Sequence, residues 1–235
     1  MYFDIAVGQA AEACSLSHIL PRRILLEAEK YSPNRRRNFL GARVLLSLLL
    51  KHRLQDGTLG PMRLGPYGKP YFSEQSVFFN ITNSKTTVAV AISDSGEVGI
   101  DLEFLKARHN FAGLKERVLG EDEKRIFATL DETVQLELFT CLWTVRECTL
   151  KISGRGLGGL SNIVIELEKK TLRCPDNRSG KVSCVRFDDL LGGSPSFFSY
   201  GGEFAADNPQ VFRLEGDCLE NCEPFRPELV FDISR

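Results

Sequence analysis

The chain has 235 residues, of which 43% are hydrophobic and 26% are charged, and its formal net charge is −1. This length and composition are typical of a soluble globular protein with one large or two smaller cores. A near-neutral charge argues against a general nucleic-acid binder, so any basic site has to be local.

The amino terminus and the cysteines favour a cytoplasmic protein. Residues 1–9 alternate like a strand and include Asp4, whereas a signal peptide would open with a basic region and an apolar core. The apolar run at residues 44–50 is too short to span a bilayer, so we expect no membrane partner. The seven cysteines lack the paired short spacings of a zinc site and are expected to be reduced thiols.

The first part of the chain predicts a strand, a long helix and a loop. Residues 1–8 are strand-like, and the strongest helical periodicity lies at residues 35–54. Arg36 and Arg43 are two turns apart on one face of that helix. Residues 57–72 are rich in glycine and proline, which predicts a loop with a short strand. A basic helix face is usually only solvated, so these arginines alone do not indicate a site.

Three strands are predicted next. The segments VFFNIT (77–82) and TVAVAIS (87–93) are joined by a short connection, and the strand VGIDLE (98–103) follows after a turn. The pattern becomes helical beyond this strand. We therefore predict two parts, residues 1–104 and residues 105–235.

The second part of the chain is predicted to be helical first and then strand-like. Apolar residues recur with helical spacing over residues 111–130 and 134–152. Strand patterns follow at residues 162–168, 181–187 and 196–201.

Three carboxylates form the main candidate site. Asp101 and Glu103 are two residues apart on a predicted strand, so both side chains point to the same face. Glu147 lies on a predicted helix with Lys151 one turn further along the same stripe. If that helix packs on the strand, three carboxylates meet a lysine. Buried carboxylates need a cation nearby, and oxygen ligands of this kind suit Mg2+.

Plainer explanations exist for these patterns. Glu147 and Lys151 could form an exposed helix pair that contributes only about 0.3–0.5 kcal/mol, with Asp101 and Glu103 on a solvated strand face. The segment GRGLGG (154–159) matches a dinucleotide-binding motif, but a helix precedes it and a strand follows. We interpret these glycines as a helix stop and a turn.

Five segments in a fixed order carry a resemblance to a known family. They are RRRNFLGARVLL (35–46), GKP (68–70), FNITNS (79–84), VGIDLE (98–103) and WTVRECTLK (143–151). With these motifs the chain resembles the Sfp-type 4'-phosphopantetheinyl transferases, and especially their small AcpT-like bacterial members. The resemblance covers roughly residues 1–165.

The resemblance implies a fold and an activity. Sfp-type enzymes are α+β pseudo-dimers of two similar halves, with coenzyme A bound in the cleft between them. They transfer the 4'-phosphopantetheine arm of coenzyme A to a serine of an apo acyl or peptidyl carrier protein and release 3',5'-ADP. The carrier protein could serve fatty acid, polyketide, nonribosomal peptide or polyunsaturated lipid synthesis. We expect a cytoplasmic monomer that binds no nucleic acid.

The resemblance also implies roles for the carboxylates and the lysine. The positions that match Asp101, Glu103 and Glu147 hold Mg2+ against the diphosphate in similar enzymes, and Glu147 is thereby also catalytic. Lys151 would contact the same phosphates or help the serine lose its proton. Bound Mg2+ would then be the cation that the buried carboxylates require.

A general base and the coenzyme A contacts are implied in the same way. Glu123 matches a glutamate proposed as general base in the family, although Glu121 is close enough to leave the alignment open. The residues expected to bind coenzyme A are Arg36, Arg43, Lys69, Pro70, Thr82, Asn83 and Ser84.

Three positions depart from the family pattern. Asn83 replaces a histidine that approaches the coenzyme A phosphates, Arg146 replaces a lysine, and Cys148 replaces an alanine. A homologue that binds coenzyme A or a carrier protein without efficient transfer is therefore an alternative. A metal-dependent phosphodiesterase is a second alternative, which the near-neutral charge disfavours.

Overall fold

The structure is a computed structural model, which describes residues 1–175, 179–190, 195–203 and 209–234. Within these residues the α-helices are α1 (Ala10–Ser15), α2 (Arg22–Ala28), α3 (Pro33–Leu54), α4 (Phe111–Val118), α5 (Glu121–Phe127) and α6 (Glu132–Ser153). The strands are β1 (Phe3–Gln9), β2 (Met62–Leu64), β3 (Pro70–Phe72), β4 (Phe78–Ser84), β5 (Thr87–Ser93), β6 (Val98–Phe104), β7 (Val164–Glu166), β8 (Thr171–Arg173), β9 (Gly180–Phe187), β10 (Ser196–Gly202), β11 (Gln210–Glu215), β12 (Cys218–Cys222) and β13 (Leu229–Ser234). The predicted α+β class is confirmed.

The described strands form two large sheets and one hairpin. The first sheet has the order β12-β11-β1-β5-β4, and the second has the order β6-β10-β9-β13-β8-β7. Strands β2 and β3 pair with each other, with Leu64 opposite Pro70. Each large sheet packs against one helix of 22 residues, α3 on the first sheet and α6 on the second. This arrangement agrees with the predicted pair of similar α+β halves.

The core consists of three apolar layers. One lies between α3 and the first sheet, and another lies between α6 and the second sheet. The third lies between the two sheets, where Ile5 and Ala89 of the first sheet meet Ile100 and Phe198 of the second. Burial of each large apolar side chain contributes about 1.5–3 kcal/mol, so the sheets are held together by their shared layer.

The two large sheets also meet at their edge strands, β4 and β6. The Asn80 side-chain oxygen accepts a hydrogen bond from the Ile100 backbone N–H at 3.2 Å. The Thr82 hydroxyl donates to Asp101 Oδ1, also at 3.2 Å. Side chains of β4 therefore satisfy polar groups of β6 that no neighbouring strand reaches on that side.

Helix α6 packs closely on β6 because the strand contains Gly99. A Cβ atom at position 99 would lie 2.2 Å from the Cys148 carbonyl oxygen. The N-cap of the helix is Asp131, whose side chain accepts hydrogen bonds from the Thr133 and Val134 backbone N–H groups. It ends at Gly154, with φ of 72°, which confirms the predicted helix stop.

Strand pairing crosses the predicted division at residue 104. Strand β6 pairs with β10 in the second sheet, although the sequence places it in the first part. Strands β11 and β12, which we did not predict, extend the first sheet, with β11 paired to β1 and β12 paired to β11. The division into residues 1–104 and 105–235 stays a prediction.

Other elements agree with the sequence or refine it. The helix predicted over residues 111–130 is two helices, because the chain is extended at Gly120, with φ of −71° and ψ of 167°. The loop predicted over residues 57–72 contains the two short strands of the hairpin. None of the helices in the described ranges has the length and apolar character needed to cross a membrane.

Candidate active site

The centre of the site is Lys151, where β4, β6 and α6 meet. Its ammonium donates to Asp101 Oδ1 at 2.7 Å, to the Ile100 carbonyl oxygen at 3.1 Å and to Thr82 Oγ1 at 3.2 Å. The Asp101 side chain is 9% exposed and that of Lys151 is 28% exposed. The predicted packing of the lysine-bearing helix on the strand is thus present.

Glu147 and Glu103 lie close enough to this pair to interact electrostatically. Burial, followed by the negative charge of Asp101, is the main cause that raises the pKa of Glu147 to about 7. Lys151 lowers this pKa and Glu103 raises it. Because one lysine neutralises only one carboxylate, the group carries excess negative charge. The structure thus brings Glu147 and Glu103 within electrostatic range of Asp101 and Lys151, and their role as a common site stays a prediction.

The donor chemistry of these carboxylates fits a hard divalent cation. Asp101 Oδ2 and Glu103 Oε2 are buried acceptors without a hydrogen-bond partner, although Lys106 Nζ lies 3.5 Å from the latter. Unpaired buried oxygens of this kind are costly, and a cation would satisfy them. In the described part of the chain, no group of three or more potential metal-ligating side chains is already arranged as a metal site. Mg2+ therefore stays a prediction.

A cavity of about 280 Å3 lies beside the carboxylates. Glu147 and Lys151 line one wall, and Asp101 is linked to the cavity through Lys151. The β2–β3 hairpin forms a second wall and β4 a third. The full set of lining residues is Tyr67, Gly68, Lys69, Pro70, Asn80, Ile81, Glu147, Leu150, Lys151, Gly154 and Gly156.

The predicted coenzyme A ligands on the hairpin differ in what they contact. Pro70 lines the cavity described above and also a second cavity of about 360 Å3. Lys69 points away from solvent, and its ammonium donates to Glu97 Oε2 at 2.5 Å. The same ammonium donates to the carbonyl oxygens of Val98 and Ile152.

The predicted arginines of α3 lie next to the second cavity or at the surface. The Arg43 guanidinium lines that cavity and stacks over the Phe39 ring, 3.8 Å from its centroid. Burial lowers the pKa of Arg43, and the charge of Glu27 partly offsets this effect. Arg36 is exposed on the same helix.

The three predicted ligands on β4 divide between its two faces. Thr82 is buried and faces Asp101 and Lys151. Asn83 is exposed, and its side-chain oxygen accepts from Asn38 Nδ2 of α3 at 3.2 Å. Ser84 is half-buried and ends the strand opposite Thr87. Only Thr82 is in contact with the carboxylate and lysine group.

A family comparison matches this region of the chain. Residues 97–206, which begin just before β6 and include α6, match the family described as the 4'-phosphopantetheinyl transferase superfamily. This part of the chain is similar to that superfamily. The predicted resemblance to AcpT-like phosphopantetheinyl transferases is therefore confirmed, and with it the enzyme class.

Several named relatives share this classification. The protein slr0495 of Synechocystis, provisionally named a 4'-phosphopantetheinyl transferase, is 28% identical over 88% of this chain and 87% of its own length. AcpT of Escherichia coli is 35% identical over 51% of this chain, and HetI of Nostoc is 29% identical over 58%. Both are named 4'-phosphopantetheinyl transferases, and the chain spans about 60% of their length.

Glu123 lies apart from the group of Asp101, Glu103, Glu147 and Lys151. Its side chain is buried and pairs with Arg146 of α6, which has no exposed surface. The same oxygen accepts from the Gly120 backbone N–H at 2.9 Å, as in a capping box. The nearby Glu121 is exposed and pairs with Lys124. The general-base role of Glu123 stays a prediction that these contacts do not favour.

Two residues of the site were missed by the sequence analysis. Asn80 supports β6 through its bond to Ile100, and Glu97 holds the Lys69 ammonium. Asn80 lies within the FNITNS segment, so its motif could have indicated it. Glu97 directly precedes VGIDLE, but no spacing rule relates it to Lys69.

Proposed function

We propose that this chain transfers the 4'-phosphopantetheine arm of coenzyme A to a serine of an apo carrier protein in a Mg2+-dependent reaction. The match of residues 97–206 to the 4'-phosphopantetheinyl transferase superfamily supports the reaction class. The observation that carries the proposal is the contact of Lys151 with Asp101 and Thr82 beside a cavity that Glu147 also lines.

The reaction exchanges the phosphoanhydride linkage of coenzyme A for a phosphate ester linkage to the serine. The serine oxygen attacks the phosphorus atom next to the pantetheine arm, and the bond from that phosphorus to the bridging oxygen of the diphosphate breaks. The bridging oxygen leaves with 3',5'-ADP, and the serine hydroxyl loses its proton. Catalysis of such a transfer depends mainly on positioning and on the neutralisation of phosphate charge.

The carboxylate group would hold the metal ion. Asp101, Glu103 and Glu147 would bind Mg2+, which when bound neutralises charge on the diphosphate. Asp101 Oδ2, which is buried without a hydrogen-bond partner, supports this assignment. The negative charges of Asp101 and Glu103 also add to the effect of burial in raising the pKa of Glu147.

Lys151 would supply a fixed positive charge at the phosphates. Its three contacts with Thr82, Ile100 and Asp101 hold the ammonium at the cavity wall. A charge that is already in place needs little reorganisation during the reaction. We therefore assign Lys151 to phosphate binding.

The nucleotide end of coenzyme A would extend toward α3. Pro70 borders both cavities, so a ligand in the first can reach the second past the hairpin. The second cavity contains the guanidinium of Arg43, and Arg36 lies on the same helix. Arginine binds phosphate groups through paired, charge-assisted hydrogen bonds. We keep the sequence-based proposal that these arginines bind phosphate.

A direct assay tests this function. The full chain is incubated with coenzyme A, Mg2+ and a panel of apo acyl and peptidyl carrier proteins, and each carrier is weighed by mass spectrometry. We expect one carrier serine to gain the phosphopantetheine group as 3',5'-ADP appears. Binding of coenzyme A without 3',5'-ADP for any carrier would instead identify the non-transferring homologue.

A further inference from the structure

The Lys69 ammonium is fully engaged inside the protein. A lysine ammonium has three N–H donors. They reach Glu97 Oε2 at 2.5 Å, the Val98 carbonyl oxygen at 3.1 Å and the Ile152 carbonyl oxygen at 3.1 Å. Its side chain is 14% exposed. A phosphate could be bound by this ammonium only if one of these contacts were broken.

The three acceptors belong to elements that carry the active-site carboxylates. Glu97 and Val98 lie at the start of β6, which carries Asp101. Ile152 lies in the last turn of α6, where backbone carbonyl oxygens lack partners within the helix. Lys69 itself belongs to the hairpin, so one side chain connects the hairpin, β6 and α6.

The stem of Lys69 adds a packing contact to these bonds. It lies over Gly154, where an added Cβ would be 3.3 Å from Lys69 Cδ. The Lys69 carbonyl oxygen accepts from the Gly65 backbone N–H at 2.8 Å, which closes the hairpin turn. Lys69, Gly154 and the hairpin residues all line the 280 Å3 cavity, so their relative placement fixes its width.

We propose that Lys69 is a positioning residue, which together with Glu97 clamps the hairpin to β6 and α6 and thereby shapes the cavity, instead of binding a phosphate of coenzyme A. The inference rests on the proposed function in that it takes this cavity as part of the coenzyme A site. It replaces the phosphate-binding role that the sequence suggested for Lys69.

Variants that remove the charge of Lys69 or of Glu97 distinguish a positioning role of Lys69 from a phosphate-binding role. Coenzyme A affinity is measured by titration calorimetry for the full chain, for Lys69→Met, for Glu97→Gln and for the double variant. If the Lys69–Glu97 pair positions the hairpin, a change in either residue breaks the pair. Each single variant should then raise Kd for coenzyme A about fivefold, and the double variant should raise it no further. If Lys69 binds phosphate, Glu97→Gln frees it and Kd stays unchanged or falls, which would overturn the proposal.

A second lysine–glutamate pair provides a control for the loss of a lysine charge in Lys69→Met. Lys124 of α5 pairs with Glu116 and Glu121, whose side chains are 68% and 86% exposed. Lys124→Met should leave Kd for coenzyme A within about twofold of the parent. An equal increase in Kd for Lys124→Met and Lys69→Met would mean that the effect is general electrostatics, and the clamp would be rejected.

Kinetics and stability give two further readouts. The Lys69–Glu97 pair shapes the cavity but does not touch the reacting atoms. In its variants, KM for coenzyme A should therefore rise about fivefold, while kcat stays within about twofold of the parent. Urea midpoints of the same four proteins should be non-additive, with the double variant equal to the weaker single variant. Additive midpoints would contradict the clamp even if the chain transferred nothing, so the two proposals fail separately.

Discussion

Lys151 Nζ lies 2.7 Å from Asp101 Oδ1 and also contacts the Thr82 hydroxyl, which itself donates to the same aspartate oxygen. The two charges and the hydroxyl thus form a closed triangle across the edge strands of two sheets. Lys151 is fixed by β4 and β6, although it belongs to α6. The position of this charge therefore depends on how the two sheets meet.

Thr82 should matter through its hydroxyl alone. We expect Thr82→Val to lower kcat about fivefold, because one net hydrogen bond of about 1 kcal/mol that orients Lys151 and Asp101 is lost. Thr82→Ser retains the hydroxyl and should stay within about threefold of the parent. Steady-state transfer assays check this, and equal losses in both variants would show that the methyl group, and not the hydroxyl, is needed.

Glu147 should make the stability of the metal-free protein depend on pH. Its folded-state pKa of about 7 lies above its ordinary value of 4.5, so the folded state binds more protons between these values. The free energy of unfolding should therefore fall as pH rises through this window. Because the group is half-buried, solvent screening limits its contribution to on the order of 1–2 kcal/mol.

The measurement is urea unfolding at several pH values without metal. Glu147→Gln cannot titrate, so its stability should fall less between about pH 5 and about pH 8 than that of the parent. Added Mg2+ should stabilise the parent more at the higher pH, where Glu147 is ionised. The same pH dependence in both proteins would show that Glu147 does not have this raised pKa.

Glu123 should be essential for stability. Glu123→Gln leaves the fully buried guanidinium of Arg146 without its charged partner, which should cost about 3–5 kcal/mol of folding free energy. Glu121→Gln, at an exposed position, should cost less than about 0.5 kcal/mol. Urea unfolding compares the two. A Glu123→Gln protein that is as stable as the parent but inactive would restore the general-base prediction.

Arg43 should bind a phosphate at the nucleotide end of coenzyme A. Arg43→Ala should weaken coenzyme A binding by about 1.5–3 kcal/mol, the range for hydrogen bonds to charged groups. It should hardly change the binding of dephospho-coenzyme A, which lacks the 3'-phosphate. Titration calorimetry with both ligands decides this. Equal losses would indicate that Arg43 mainly packs against Phe39.

The local parts of the site followed from the sequence. Strand periodicity placed Asp101 and Glu103 on one face, and helical spacing placed Lys151 one turn after Glu147. The contacts between elements did not follow. Lys69 and Glu97 are 28 residues apart, and Thr82 and Lys151 are 69 residues apart. Such pairs depend on sheet order and on the register between edge strands, which no local pattern encodes.

Pairing between distant segments, which local patterns do not encode, also explains why parts of the fold were not predicted. Strand β11 adds to the first sheet by parallel pairing with β1, so that Asp4 lies opposite Gln210. This pairing joins residues from the two ends of the described chain, and its stability comes from tertiary packing more than from its own sequence. Gly120 broke a helical pattern that otherwise continued, because it adopts an extended conformation between α4 and α5.

The central claim is that the carboxylates at the junction of β4, β6 and α6 drive transfer from coenzyme A to a carrier serine. It is tested most directly by the transfer rate of Asp101→Asn at saturating Mg2+ and coenzyme A, with circular dichroism to confirm folding. Loss of this charge should lower the rate on the order of a thousandfold, because it removes several kcal/mol of transition-state stabilisation. A folded Asp101→Asn protein that transfers within about tenfold of the parent rate would contradict the claim.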